Sequence, residues 1–112
     1  MEFKIRIWDA DLKKMHCIGN MTQPTEGLTT MFFTGFLDKH DQELYEGDIV
    51  TFKHKNINNP LDKLAFVKCI IVWNPLGMWS LKWADGYINN APLNPSKYTK
   101  IGNIYETPNL IQ

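Results

Sequence analysis

The soft metal ligands of this sequence are few and scattered. They are His16, Cys17, His40, His54 and Cys69. A structural zinc site usually draws its ligands from two pairs of residues, each about two to four positions apart, and the sequence contains no such arrangement. It also contains no Gly-x-Ser-x-Gly elbow and no glycine-rich phosphate loop. We therefore expect reduced, mostly buried thiols, surface histidines, no metal and no cofactor, in a protein that is not an enzyme.

Carboxylates are concentrated in the stretch from residue 38 to residue 48. They are Asp38, Asp41, Glu43, Glu46 and Asp48, with Lys39 as the opposing charge. The stretch lacks the alternate ligand spacing of an EF-hand loop, so we interpret it as an acidic, solvated turn. A small hydrolase that uses these carboxylates is the weaker alternative, because no base or nucleophile is marked to work with them.

Lysines gather in a part of the chain that we predict to be a strand, a loop and a second strand. They are Lys53, Lys55, Lys63 and Lys68, and only Asp62 opposes them. Aromatic residues lie nearby, namely Phe52, Phe66 and Trp73. Lysines beside aromatic rings can bind phosphates and stack bases, as in single-strand nucleic-acid binders, whereas the plainer interpretation is a loop with solvated lysines.

The charge of the whole chain limits the nucleic-acid hypothesis. Twelve Lys plus Arg balance twelve Asp plus Glu. A protein that covers DNA nonspecifically normally has a basic excess, because contacts with phosphates supply most of its affinity. Single-stranded nucleic-acid binding through a local surface is therefore kept as an alternative function.

Three tryptophans lie on two neighbouring predicted strands, and they are Trp73, Trp79 and Trp83. Trp79 and Trp83 are four positions apart, so they lie on the same side of a strand. We expect this cluster to be core. If the sheet has a second wet face, Trp79 and Trp83 would join the lysines in a recognition surface, where Trp is enriched. The candidate nucleic-acid or partner surface therefore comprises Lys53, Lys55, Lys63, Lys68, Trp79 and Trp83.

The elements that carry these residues are predicted to be β-strands. Residues 2–7 alternate, which places Phe3, Ile5 and Ile7 on one face and leaves the other face wet. Residues 64–73 and 78–83 form the clearest hairpin, because the turn residues Asn-Pro-Leu-Gly separate them. Further strands are predicted at 15–18, 31–35, 49–53 and 100–105, turns at 38–41, 46–48 and 85–86, and loops at 19–27, 56–62 and 89–96. No segment has a sustained helical period, so we predict an all-β fold, a small barrel with long loops, as a single domain over residues 1–112.

Three segments match a known pattern in order and spacing. They are KIRIWD at 4–9 with KKM at 13–15, FTGFLDK at 33–39 continuing through ELYEGDIV at 43–50, and IGNIYETP at 101–108. On these segments the sequence resembles the YopX-like family, found mainly in phages and prophages of Gram-positive bacteria. The resemblance implies a compact β fold that includes an SH3-like barrel, and a phage origin, but no particular activity.

The motif residues also have structural interpretations of their own. Gly35 and Gly47 would relieve backbone geometry, and Asp48 would cap a turn. The family usually has Asn-Gly where this chain has His40-Asp41, and Asn-Gly favours a two-residue turn with positive φ at both positions. If both residues here held positive φ, restoring Asn-Gly would stabilise the domain.

The function expected from these observations is that of a phage-encoded, non-enzymatic binding module in the host cytoplasm, engaging a host or phage macromolecule. The N-terminus lacks the apolar segment of a signal peptide, and the longest apolar run, 69–73, is too short to cross a bilayer. A homo-oligomer is expected as well, because zero net charge gives little repulsion and the apolar strand 64–73 would expose unpaired backbone if it lay at a sheet edge.

Overall fold

The computed structural model describes residues 4–18, 28–54, 65–89 and 92–111. Within these residues the chain forms strands and two short 3₁₀ helices, and no α-helix. The strands are β1 Ile5–Asp9, β2 Lys14–Ile18, β3 Thr29–Leu37, β4 Glu43–Tyr45, β5 Asp48–His54, β6 Ala65–Asn74, β7 Met78–Trp83, β8 Ile88–Asn89 and β9 Thr99–Asn103. The 3₁₀ helices are η1 Pro95–Lys97 and η2 Pro108–Ile111. In this described part of the chain, no helix is long and apolar enough to cross a membrane.

The strands form two antiparallel sheets, with the orders β2-β1-β3-β4 and β8-β7-β6-β5-β9. In the larger sheet β5 to β8 follow one another as a meander, and β9 returns after η1 to pair with β5. One sheet curls into a half-barrel, so the prediction of an all-β, barrel-like fold is confirmed.

A hydrophobic core cluster lies on one side of the larger sheet, which we call its inward side. Its buried members are Leu44, Val50, Cys69, Ile71, Leu81 and Tyr98. Leu44 belongs to β4 of the smaller sheet, so that sheet contributes directly to the core of the larger one. This shared core defines the inward face of β5, β6 and β7.

The predicted hairpin of residues 64–83 is confirmed as β6 and β7. Cys69 lies opposite Trp83 and Ile71 opposite Leu81, which places the apolar alternation on the inward side. At the turn, the buried Asn74 side chain accepts a hydrogen bond from the Leu76 N–H (2.8 Å) and donates one to Ser80 Oγ (2.6 Å). Asn74 therefore ends β6 by supplying the hydrogen bonds of the turn itself.

Two expectations about strand surroundings are wrong. The apolar strand β6 lies between β5 and β7, so its backbone is paired on both sides and it is not a sheet edge. The edge-pairing argument for a homo-oligomer fails on this point, and self-association itself stays a prediction. The wet face predicted for residues 2–7 is also absent at Arg6, which is only 3% exposed because it pairs with a buried carboxylate.

The turn at 38–41 is confirmed, and the structure shows its type, which the sequence left open. Asp41 has φ 62°, whereas His40 is not among the residues with positive φ. The Asp41 N–H donates to the Asp38 carbonyl (3.1 Å) and the Asp38 N–H donates to the Gln42 carbonyl (2.8 Å). A residue in the left-handed conformation, Asp41, follows the tight turn, as in three-residue hairpin loops. Of the two positions that the family's Asn-Gly pair would hold at positive φ, only the second, Asp41, has positive φ in this chain.

The shortest elements are the ones the sequence patterns missed. They are β4, β8, η1 and η2, which have three, two, three and four residues. The last predicted strand ends earlier than expected, because Asn103 Oδ1 accepts hydrogen bonds from the Tyr105 and Glu106 N–H groups (3.0 and 2.8 Å) and turns the chain. The predicted loops 19–27 and 56–62 lie outside the described residues.

Candidate functional site

The carboxylate stretch contains a buried ion pair at its end. Arg6 Nη1 of β1 donates to Asp48 Oδ1 of β5 (2.6 Å), and the two side chains are 4% and 0% exposed. Asp48 Oδ2 accepts from the Tyr45 N–H (2.7 Å) and lies 3.3 Å from Lys100 Nζ. The expectation that Asp48 caps a turn is confirmed, while the interpretation of residues 38–48 as a solvated turn is wrong at this position.

Asp38 is the second buried carboxylate of the stretch. Its Oδ1 accepts from the His40 and Gln42 N–H groups, and its Oδ2 accepts from the Lys100 N–H, each at 2.8 Å. Burial would raise the pKa of Asp38, but these backbone donors outweigh it and hold the pKa below its ordinary value. The carboxylate therefore ties the β3–β4 turn to β9, and a solvated turn is wrong here too.

The other members of the stretch have different surroundings. Glu43 forms a part-exposed ion pair with Lys4 (2.8 Å). Burial raises the pKa of Glu46. Asp41 is exposed. The hydrolase alternative needs carboxylates that can face a substrate together. The two most buried carboxylates of the stretch, Asp38 and Asp48, instead accept hydrogen bonds from within the protein.

The thiol and imidazole groups are dispersed in the structure as in the sequence. Cys69 lies in the core as a free thiol, and burial raises its pKa to about 12. The expectation of a buried thiol is therefore confirmed for Cys69. His16 and His40 are exposed, and the side chains of Cys17 and His54 lie outside the described part. Among the described side chains, no three or more of the His, Cys, Asp and Glu residues are grouped so that they could hold a metal.

Two of the predicted lysines, Lys53 and Lys68, come together on the outward face of the larger sheet. Lys53 of β5 lies opposite Phe66 of β6, and its Nζ is 5.6 Å from the centre of the Phe66 ring. Phe66 is 70% exposed. Lys68 lies two residues farther along β6 on the same face, opposite Thr51. Lys55 and Lys63, the other predicted members, lie outside the described residues.

Lys82 is an additional residue of this face that sequence reasoning missed. It lies on β7 opposite Ile70 of β6, and it is exposed. Lys53 lies opposite residue 66 of β6, Lys68 is itself on β6, and Lys82 lies opposite residue 70 of β6. The three lysines therefore form a diagonal row across three adjacent strands. Diagonal neighbours in antiparallel sheets are about 7–8 Å apart. We call these three lysines with Phe66 the lysine row. The register of the β6–β7 hairpin is the signal that could have found Lys82.

The remaining described positions of this outward face are buried or half-buried. Ile49 and Ser80, which share the face by alternation, are completely buried. The 3₁₀ helix η2 packs against β6. Among the described outward positions of β5, β6 and β7 none is a carboxylate, so the lysine row is the charged, solvent-facing part of the sheet.

The tryptophans do not join the lysine row. Trp79 and Trp83 are half-buried and pack against the core from the inward side of the sheet, as the first interpretation of the cluster expected. For Trp73 the core expectation is wrong, because this residue is 53% exposed. Its ring stands edge-on to Trp79 at a centroid distance of 4.9 Å. Four of the six predicted surface residues lie in the described part of the chain, and the structure separates them: Lys53 and Lys68 face outward, and Trp79 and Trp83 face the core.

The comparisons with known proteins concern the family and the fold of the chain. Residues 4–112 match the family described as YopX protein. The chain belongs to the YopX family. A solved structure with a similar fold is protein EF1440 from Enterococcus faecalis, with a TM-score of 0.64, 19% identity and 98% of each chain covered. At that identity the likeness concerns the fold alone. No curated protein matches the sequence.

The motif of this YopX family member lies where its two sheets meet. Gly47 has φ 88°, its N–H donates to the Ile71 carbonyl (2.8 Å), and its carbonyl accepts from the Ile104 N–H (3.0 Å). A β-carbon on Gly47 would contact the Tyr105 ring at 3.4 Å. Gly35 has φ 87° within a stretch where the β3–β4 register shifts. Both glycines therefore relieve backbone geometry, as expected, and the motif residues hold the fold together.

Proposed function

We propose that this YopX protein is a non-enzymatic binding module whose contact surface is the lysine row. The observation that carries the proposal is the exposure of Phe66, at 70%, beside Lys53 and its row of lysines. Exposure of an aromatic ring to water is unfavourable, and a partner that covers the ring relieves this. Aromatic residues are also enriched in binding surfaces. The partner is a macromolecule of the host or of a phage, and the protein works in the host cytoplasm.

The positions of the carboxylates and of the Cys69 thiol support a binding role over catalysis. The most buried carboxylates, Asp38 and Asp48, hold turns and strands in place, and the Cys69 thiol is in the core. A catalytic group must reach substrate, whereas these groups satisfy internal donors or fill the interior. The exposed chemistry of the larger sheet is cationic and aromatic, which suits recognition.

An SH3-like arrangement of the larger sheet is part of the proposal. A four-stranded meander, β5 to β8, is followed by the 3₁₀ helix η1 and by β9, which returns to β5. This order of strands is the one expected of an SH3-like barrel. Such small barrels host many unrelated binding functions, so the fold supports a binding module without naming its partner.

Site-specific photo-crosslinking tests the proposal. Benzoylphenylalanine is introduced at position 66, within the lysine row, and separately at position 12, where Leu12 is 63% exposed on the β1–β2 turn. Both proteins are irradiated in bacterial extract. We expect a discrete macromolecular adduct from position 66 and none of the same mass from position 12. Equal labelling at both positions, or no adduct from position 66, would overturn the proposal.

A further inference from the structure

We infer that the ligand of the lysine row is single-stranded nucleic acid. This inference rests on the proposed function and specifies its partner. The charge of the surface is the first argument. Lys53, Lys68 and Lys82 are exposed, and the described outward positions of their strands carry no carboxylate. A polyanion lying along the diagonal would therefore meet three cations in succession.

The exposed ring is the second argument, and it favours unpaired bases over other polyanions. Phe66 lies beside the row, directly opposite Lys53 on the neighbouring strand and two residues before Lys68 on its own strand. Sheet faces that combine phosphate contacts with an exposed aromatic ring bind single strands, because every unpaired base offers a π-face for stacking. Bases in a duplex are already stacked and would leave Phe66 without a partner. An acidic peptide would meet the lysines but would not require the ring.

The zero net charge of the chain fits a local contact of this kind. Twelve basic residues balance twelve acidic ones, so the whole surface does not attract polyanions. Three phosphate contacts on a single strand predict a slope of log affinity against log salt of about −2, at about −0.7 per phosphate. Affinity should then fall roughly 20-fold between about 50 and 200 mM salt.

Fluorescence anisotropy with labelled oligonucleotides tests the inference. The probes are single-stranded DNA and RNA of the same mixed sequence, and the corresponding DNA duplex. We expect micromolar or tighter binding to at least one single strand at low salt, with the salt slope given above, and weaker binding to the duplex. The DNA and RNA probes distinguish the two sources of the same chemistry.

Matched variants assign the binding to the surface. Lys53→Glu with Lys68→Glu reverses two charges of the lysine row, and Lys39→Glu with Lys97→Glu reverses two exposed charges in the β3–β4 turn and η1. The first pair should weaken binding at least tenfold, while the second pair should change it less than about twofold. Phe66→Ala should weaken binding about fivefold or more through lost stacking, with Leu76→Ala, 73% exposed at the β6–β7 turn, as its control.

The outcomes separate this inference from the proposed function. The inference would be overturned if no oligonucleotide bound at low salt, or if the duplex bound as tightly as the single strands. It would also be overturned if both charge-reversed pairs of substitutions weakened binding equally. If the position 66 crosslink nevertheless captures a protein, the binding module stands with a different partner. If Phe66→Ala binds as tightly as the unaltered protein, the contact is purely ionic and single-strand recognition is refuted. Far-UV circular dichroism of each variant confirms that the fold is retained.

Discussion

The buried pair of Arg6 and Asp48 predicts an unequal response to the loss of its two partners. Asp48→Asn keeps an acceptor for the Tyr45 N–H but removes the negative charge. Arg6, 4% exposed in its side chain, and Lys100, 24% exposed, would then be left as neighbouring cations. Removing one member of a buried pair costs about 3–5 kcal/mol. For a domain whose whole stability is about 5–15 kcal/mol, this is a large fraction.

The reverse change should cost less. Arg6→Met keeps the apolar stem of the side chain and leaves Asp48 with the Tyr45 N–H at 2.7 Å and Lys100 Nζ at 3.3 Å. The main loss is one charge-assisted hydrogen bond, about 1.5–3 kcal/mol. The longer contacts of Arg6 Nη2 with the Glu46 carbonyl and Met31 Sδ, both 3.3 Å, are lost as well. Glu43→Gln is the control, because the Lys4–Glu43 pair is 42% and 39% exposed, and such surface pairs contribute about 0–1 kcal/mol.

Urea unfolding followed by circular dichroism measures all three variants. We expect the loss in free energy of unfolding to be largest for Asp48→Asn, intermediate for Arg6→Met and smallest for Glu43→Gln. The reasoning is refuted if Arg6→Met costs as much as Asp48→Asn, or if Asp48→Asn costs less than about 1 kcal/mol.

Three further predictions concern single residues. Asp41→Gly should raise the free energy of unfolding by about 0.5–1 kcal/mol in urea titrations, because Asp41 has φ 62°, whereas His40→Gly should not raise it. Burial raises the pKa of Glu46, so above that pKa the ionised side chain destabilises the folded state. Glu46→Gln should therefore raise the free energy of unfolding at neutral pH. This gain should vanish as pH falls toward 4.5. Because burial raises the pKa of Cys69 to about 12, a Cys17→Ser variant should resist iodoacetamide when folded and react once denatured, as mass spectrometry would show; rapid labelling of the folded variant would contradict the core position.

Local sequence patterns predicted the elements that depend on neighbours in the chain. The β6–β7 hairpin follows from alternating apolar residues around a turn rich in Asn, Pro and Gly, and the structure places it at 65–83. The turns at 38–41 and 46–48 also follow from local residue types. In contrast, β4 is three residues long, too short for alternation to be distinguished from a loop.

Contacts between distant parts of the chain were not predictable in this way. Arg6 and Asp48 are 42 positions apart, so alternation alone placed Arg6 in solvent and Asp48 in an acidic turn. Lys82 likewise looks like an ordinary surface residue until the register places it opposite Ile70 and in line with Lys68. The lysine row is a property of strand pairing, and composition could not indicate it.

Lysine acetylation footprinting tests the proposed binding surface most directly. The folded protein is acetylated briefly with and without bacterial extract, and the modification of each lysine is measured by mass spectrometry. We predict that extract protects Lys53, Lys68 and Lys82 together, while the exposed Lys39 and Lys97 are modified at unchanged rates. Protection spread evenly over all five lysines, or confined to Lys39 and Lys97, would contradict the assignment of the lysine row as the binding surface.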